Sequence, residues 1–332
     1  MADHPLPSWN DGAAREAVLE FVARVTRLSG PDYVRPAERV AVFDNDGTLW
    51  CEQPMQAQVF FLIDRVKTLA AKDSGLKQRQ PFKAFLEHDM KTLHGLGKRG
   101  LMELFAATHA GMSEEEFADI AQAWFASAKH PKLGRPFPKL AYQPQVELLD
   151  YLRANGFKTY IVTGGGVDLV RAFAEEAYGV PREQVIGSSV RLRFDAHDDE
   201  AVLMKTSELN SFDDREAKPQ NIGLHIGRRP LLAFGNSDGD LAMLRYVKAG
   251  AEPRLALLLH HDDAAREFAY DRGFKLSPLA DALDNAEAYG IQVVSMKIDW
   301  ASVFVAEEPA PKRPPRVSAA RAIIEDRRRG LH

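Results

Sequence analysis

The chain has 332 residues, 45% hydrophobic and 27% charged, an ordinary globular balance and long enough for about two domains. Lys and Arg total 43 against 47 Asp and Glu, a formal charge of −4 that offers no basic face for nucleic acid. A single cysteine, Cys51, excludes an internal disulfide, no apolar run reaches membrane-spanning length, and Met1 to Trp9 lacks the pattern of a secretory signal. The expectation is therefore a cytoplasmic protein with no nucleic-acid or membrane partner.

Ala14, Val18, Phe21, Val22 and Val25 recur at helical spacing, predicting a helix over residues 13–28 that Gly30-Pro31 ends. A short strand, Arg39–Phe43, follows. It runs into Asp44-Asn-Asp46-Gly-Thr-Leu-Trp50. From Cys51 to about Phe137 the chain is helical in character. Val59, Phe60, Leu62, Ile63 and Val66 mark one side of a helix over 56–69, and Ser113 to Glu116 forms a capping-box pattern ahead of Phe117, Ile120, Ala121 and Trp124. About 85 helical residues between two strands exceed an ordinary crossover and predict an inserted cap.

The α/β pattern then resumes. A helix is expected over 145–154, a strand over Thr159–Val162, and a helix over Val167–Tyr178 stopped by Gly179. Val185–Phe194 and Glu200–Met204 read as a small hairpin around an acidic turn. Further strands are expected at Leu231–Phe234, Leu255–Leu259 and, at the edge, Ile291–Met296. From Glu307 a Pro-rich linker begins, and Ala319–Arg328 forms either a partner-bound helix or a disordered tail. The fold class is α/β: a doubly wound parallel sheet with an inserted α-helical cap. Residues 1–50 supply the first helix and strand, 51–140 the cap, 141–306 the rest of the core and 307–332 the tail.

In such sheets ligands bind at the carboxyl ends of the strands, so chemically capable residues there carry the function. Asp44 and Asp46 share one side of an extended chain, and two carboxylates that close need a cation. Thr163 and the glycines 164–166 open a helix, an arrangement that suits an anion; the run lacks the last glycine of a dinucleotide fingerprint. Lys218 offers positive charge for phosphoryl oxygens, with Arg215 as its rival. Gly235-Asn-Ser-Asp-Gly-Asp240 offers hard oxygens suited to Mg²⁺. His260-His261-Asp262-Asp263 follows another strand and is expected to open a helix capped by Asp262 or Asp263, a second metal being the alternative. Taken singly, these segments also read as an acidic turn, a glycine turn, a surface lysine and an Asx turn.

The four motifs, in this order over about residues 38–260, resemble the haloacid dehalogenase superfamily of phosphohydrolases, and its phosphoserine-phosphatase-like branch in particular. The resemblance implies Asp44 as nucleophile and Asp46 as general acid/base. It implies Thr163, the Gly164 N–H and Lys218 as phosphate-binding groups. Mg²⁺ would be held by Asp44, the Asp46 carbonyl, Asn236 and Asp240, the last directly or through water. Dehalogenases lack the second Asp, so Asp46 argues for phosphate chemistry on a small phosphorylated metabolite. One departure stands out: Asn236 occupies a position that is usually Asp, which removes a negative charge and leaves Asp238 as an alternative ligand. Glu52, Gln53, Met55 and Arg99 are candidate specificity residues; in phosphoserine phosphatases an acidic side chain near the position of Glu52 contacts the substrate amine. A phosphotransferase or phosphomutase on the same scaffold is the rival activity, and a catalytically weak binding or regulatory protein the rival class. With a helix and small hairpin filling Gly166 to Lys218, no second large cap is expected.

Overall fold

A mostly parallel sheet organises the chain, and its strands are the short apolar runs. The computed structural model describes residues 5–304 apart from 88, 198, 199 and 252, so the Pro-rich linker and the 319–328 helix lie outside the described residues. Helix α1 (Ala13–Thr26) precedes β1 (Val40–Phe43), whose four residues are all buried. A strand covered on both faces has no use for alternation, which is why Val-Ala-Val-Phe shows none. The insert then supplies α2 (Ala57–Lys72), α3 (Phe82–Leu86), α4 (Met90–His109) and α5 (Glu114–Ser127). The capping box of α5 is formed, with Ser113 Oγ accepting from the Glu116 N–H at 3.1 Å and Glu116 Oε2 accepting from the Ser113 N–H at 2.8 Å. Val66, Ala70, Leu76, Phe82 and Leu104 give this insert a small core of its own.

Next come α6 (Gln143–Ala154), β2 (Lys158–Gly166), α7 (Val167–Arg171), α8 (Ala174–Tyr178), β3 (Val185–His197) and β4 (Glu200–Ser211). The chain continues through α9 (Ala217–Ile226), β5 (Leu232–Gly235), α10 (Leu241–Lys248), β6 (Leu255–Asp262), β7 (Ala269–Tyr270), α11 (Asp281–Asp284), β8 (Gln292–Ser295) and α12 (Met296–Asp299). The strand order is β4-β3-β2-β1-β5-β6-β7, with β8 also beside β6. Parallel pairing runs from β3 to β8, for example Phe43 opposite both Ile161 and Phe234. Alternate residues face opposite layers. Phe43, Ile161, Phe234 and Leu257 join one core with α1 and α6, whereas Val42, Val162, Ala233 and Leu258 join the other with α9 and α10. Each buried Phe or Leu contributes about 2–3 kcal/mol. This is the expected doubly wound α/β sheet with a helical insert. Among the described residues no helix is long and apolar enough to cross a membrane.

Three local expectations are corrected. The single helix over Val167–Tyr178 is two short ones broken at Ala172–Phe173, because the Phe173 ring stacks on Trp50 at a centroid distance of 4.3 Å. Burying that aromatic pair outweighs a few helical hydrogen bonds. The hairpin is far deeper than expected. Its strands are 13 and 12 residues long, and only the start of β3 lies in the parallel sheet, beside β2. The remainder pairs with β4 out to His197–Glu200 and leans on the loop between α4 and α5. There the Lys205 N–H donates to Met112 O at 2.9 Å and the Gly111 N–H donates to Lys205 O at 3.0 Å. A second insertion therefore does stand over the carboxyl end of the sheet. Finally, β6 runs on through His260 to Asp262, so these residues do not open a helix; Asp263 caps only a turn, accepting from the Ala265 and Arg266 N–H groups at 3.1 and 3.2 Å.

Candidate active site

Strands β1, β2 and β5 are neighbours, and their carboxyl ends meet at a cavity of about 430 Å³ that Asp44, Asp46, Glu52, Thr163, Lys218 and Asp240 help to line. Asp44 is 7% exposed. Its Oδ1 accepts from Lys218 Nζ at 2.6 Å, and its Oδ2 lies 3.2 Å from Thr48 Oγ1. The same hydroxyl is 3.0 Å from Asn236 Oδ1, so Thr48 draws a carboxylate and an amide oxygen together. Asp46 Oδ1 accepts from Trp50 Nε1 at 2.9 Å. Trp50 is itself fixed by its stack on Phe173, which links the second carboxylate to the packing of the core. Gly47 makes the turn between them possible: its φ is +79°, and a Cβ there would collide with Asn236 and Glu52.

Lys218, in the first turn of α9, is 2% exposed and has a partner for each ammonium proton. It donates to Asp44 Oδ1, to Val162 O at 2.7 Å and to Asp240 Oδ1 at 2.7 Å. Lys218, expected to bind phosphate, thus bridges two carboxylates in this structure. Arg215, the rival, holds an exposed side chain near Asp214. Asp240 is engaged as well. Its Oδ2 accepts from the Asn236 and Ser237 N–H groups at 2.9 and 3.0 Å, which shapes the loop, while its Oδ1 keeps acceptor capacity beyond the Lys218 bond. Asp238 faces elsewhere, accepting from the Ala280 and Ala282 N–H groups at 3.0 and 2.9 Å. Thr163 Oγ1 accepts from the Gly165 N–H at 3.0 Å, and its hydroxyl proton remains for a ligand.

Charge is poorly balanced in this space. Burial, with Asp240 beside it, pushes the Asp44 carboxyl up to about 8 despite Lys218. Burial also raises Asp46, against the Trp50 N–H, and lifts Glu52 well above the usual carboxylate range, with Asp46 and Asp44 adding to the effect. Burial disfavours the Lys218 charge, but Asp240 and Asp44 outweigh it and hold the ammonium above its ordinary range. Uncompensated carboxylates of this kind, offering oxygen donors alone, fit a hard divalent cation. Among the described residues no three His, Cys, Asp or Glu side chains converge as a metal cluster.

Glu52 lines the cavity and is held by three donors: Asn236 Nδ2 at 2.9 Å, Tyr270 Oη at 3.0 Å and Gln56 Nε2 at 3.0 Å. Gln53 and Met55 are not among the described lining residues; the Gln53 carbonyl instead meets His130 Nε2 at 2.5 Å. Arg99 falls in α4, and its side chain lies outside the described residues. His261 is structural. Its Nε2 is 2.7 Å from Gly47 O and its Nδ1 3.3 Å from Glu267 Oε2, so it pins the turn after Asp46. Cys51 is buried, and burial raises its thiol. Residues that sequence reasoning missed include Gln58, whose Oε1 accepts from the Gly166 N–H at 2.8 Å and ties α2 to the glycine run, and Tyr270 and Lys205. Nothing in the sequence pattern around Gln58 or Tyr270 distinguishes either from an ordinary surface residue.

Residues 41–245 match the family model of the haloacid dehalogenase-like hydrolases. No curated protein shows significant sequence similarity to the chain. Among solved structures, a conserved protein of unknown function from Anaerococcus prevotii is similar at 19% identity and a TM-score of 0.54, over 87% of this chain and 94% of that one. A protein of unknown function from Bordetella pertussis is 18% identical with a TM-score of 0.49, over 77% and 98% of the two chains. A phosphoserine phosphohydrolase-like protein from Francisella tularensis is 16% identical with a TM-score of 0.39, over 75% and 98%. At these identities only the first comparison bears on this chain, and it bears on the fold alone.

Proposed function

The chain belongs to the haloacid dehalogenase-like hydrolases, and on that premise we propose that it is a Mg²⁺-dependent phosphatase acting on a small phosphorylated metabolite through a phosphorylated Asp44. The observation that carries the reading is the pair Asp44 and Asp46 at the mouth of β1: one carboxylate held by Lys218, the other raised by burial and held by an indole N–H. A dehalogenase needs only the first. The second, whose protonated form is favoured by burial, supplies the proton that an alkoxide leaving group requires.

In the first step an Asp44 carboxylate oxygen attacks phosphorus in line, the bond from phosphorus to the leaving oxygen breaks, and Asp46 gives that oxygen its proton. In the second, Asp46 takes a proton from water, the water oxygen attacks phosphorus, and Asp44 departs with its carboxylate restored. The Thr163 hydroxyl and the Gly164 N–H hold the non-bridging oxygens, while the Lys218 charge offsets the carboxylates nearby. Asp44, the Asp46 carbonyl, Asn236 and Asp240, the last directly or through water, would hold Mg²⁺, which would supply the charge that screens the phosphoryl group from them. Asp240 keeps the motif-four loop and Lys218 in place. Residues 51–140 serve as the cap that excludes water, with Glu52 on its inner side as a specificity residue. The test is Asp44→Asn assayed with Mg²⁺ and p-nitrophenyl phosphate, followed by a screen of phosphorylated metabolites; turnover equal to the parent would rule the assignment out.

A further inference from the structure

The cavity contains a second buried ammonium that the mechanism leaves unused. Lys205, on β4, lines the same space as Asp44 and Thr163, and its side chain is 1% exposed. Its Nζ pairs with Asp168 Oδ2 in the first turn of α7 and stands 5.0 Å over the ring of Phe117 from α5. Its main chain is fixed separately, through Gly111 and Met112. Core, helical insert and hairpin thus combine to place one charged group. An ammonium has three protons, and Asp168 is its hydrogen-bond acceptor among the described residues. Asp168, 3.8 Å from Arg171 as well, divides its charge between two cations, so this end of the cavity lacks the excess of carboxylates found around Asp44. The adjoining wall is apolar, with Val59, Leu62 and Leu169. A buried cation with unspent donors beside apolar groups is costly until an acceptor arrives.

We infer that Lys205 is a specificity-determining residue that binds a second anionic group, a carboxylate or a phosphate, at the far end of the phosphomonoester. This rests on the phosphatase reading. The substrate class is then a short metabolite with the scissile phosphate at one end and an anion at the other.

The experiment compares n-alkyl phosphates, ω-carboxyalkyl phosphates and alkane-α,ω-bisphosphates of matched chain length on the full chain with Mg²⁺. At one chain length the doubly anionic ester should be favoured over the n-alkyl ester by about tenfold or more in kcat/KM, chiefly through KM, as expected of a charge-assisted hydrogen bond in a buried site. Preference in the carboxylate series identifies a carboxylate, and preference in the bisphosphate series a phosphate. Lys205→Met should reduce the ratio to about twofold, and Lys205→Arg should retain part of it. Wild-type turnover with no preference, or a preference undiminished in Lys205→Met, overturns the inference; the wild-type comparison decides even if a variant does not fold. Failure to turn over any member removes the phosphatase reading and this inference with it.

Discussion

Replacing Asp44 by Asn should make the metal-free protein more stable while abolishing turnover. In the folded chain the Asp44 carboxyl is pushed up from 3.8 to about 8, first by burial and then by Asp240. A carboxylate raised by folding contributes its full stability below the unfolded value and loses it as pH rises toward the folded one. Each pH unit between the two costs about 1.4 kcal/mol, so taking up the proton on folding at pH 7.5 costs at most about 5 kcal/mol. Asn has the same shape and no charge, but it accepts less strongly from Lys218 Nζ, which now sits 2.6 Å from the carboxylate. A net gain of about 2 kcal/mol remains, or roughly 5 °C in Tm. Thermal melting of both proteins in EDTA at pH 7.5 and pH 4.5 measures it. The gain should vanish or reverse at the lower pH, which lies close to the unfolded value, so that taking up the proton costs the parent only about 1 kcal/mol. A variant that melts below the parent at pH 7.5, or gains equally at both pH values, refutes the reasoning.

Lys218→Met leaves Asp44 and Asp240 without their shared cation, and should lower stability by about 3 kcal/mol and p-nitrophenyl phosphate turnover by about a thousandfold; denaturant unfolding and initial rates check the two halves. Gly47→Ala imposes a left-handed φ on a residue with a Cβ and drives that carbon into Asn236 and Glu52, so Mg²⁺-dependent activity should be lost even if folded protein is recovered, as judged by circular dichroism and a rate assay. Gln58→Ala frees the Gly166 N–H and should raise KM several-fold with a smaller change in kcat, measured by steady-state kinetics. Dialysis against EDTA should silence the enzyme, and Mg²⁺ should restore it; activity that survives chelation would exclude the proposed metal role.

The strands were readable because each is a short apolar run ended by a polar or glycine residue, as at Phe43–Asp44 and Phe234–Gly235. The helical insert was readable for the opposite reason: its apolar residues recur every three or four positions, and Ser113 with Glu116 marks the start of α5. What failed were features set by partners distant in sequence. Nothing local breaks the helix at Phe173; Trp50 does, by offering a ring to stack on. Nothing local extends β4 past Met204, since Lys205 reads as a solvated end, and only the pairing with Asp168 and the loop at Gly111 carries it inward. The candidate site divides in the same way. Asp44, Asp46 and Thr163 follow from their places on strands, whereas the engagement of Asp240 and Lys218 with each other depends on two loops meeting across the sheet.

The bonds between Lys205 and the Gly111–Met112 loop have a kinetic consequence. Two insertions far apart along the chain are latched by paired amides, so neither can swing away alone without breaking both. Any widening of the cavity on this side then moves the hairpin and the helices together. The amide protons of Gly111 and Lys205 should consequently exchange with deuterium at one common rate, and that rate sets an upper limit on how often the cavity opens through this door.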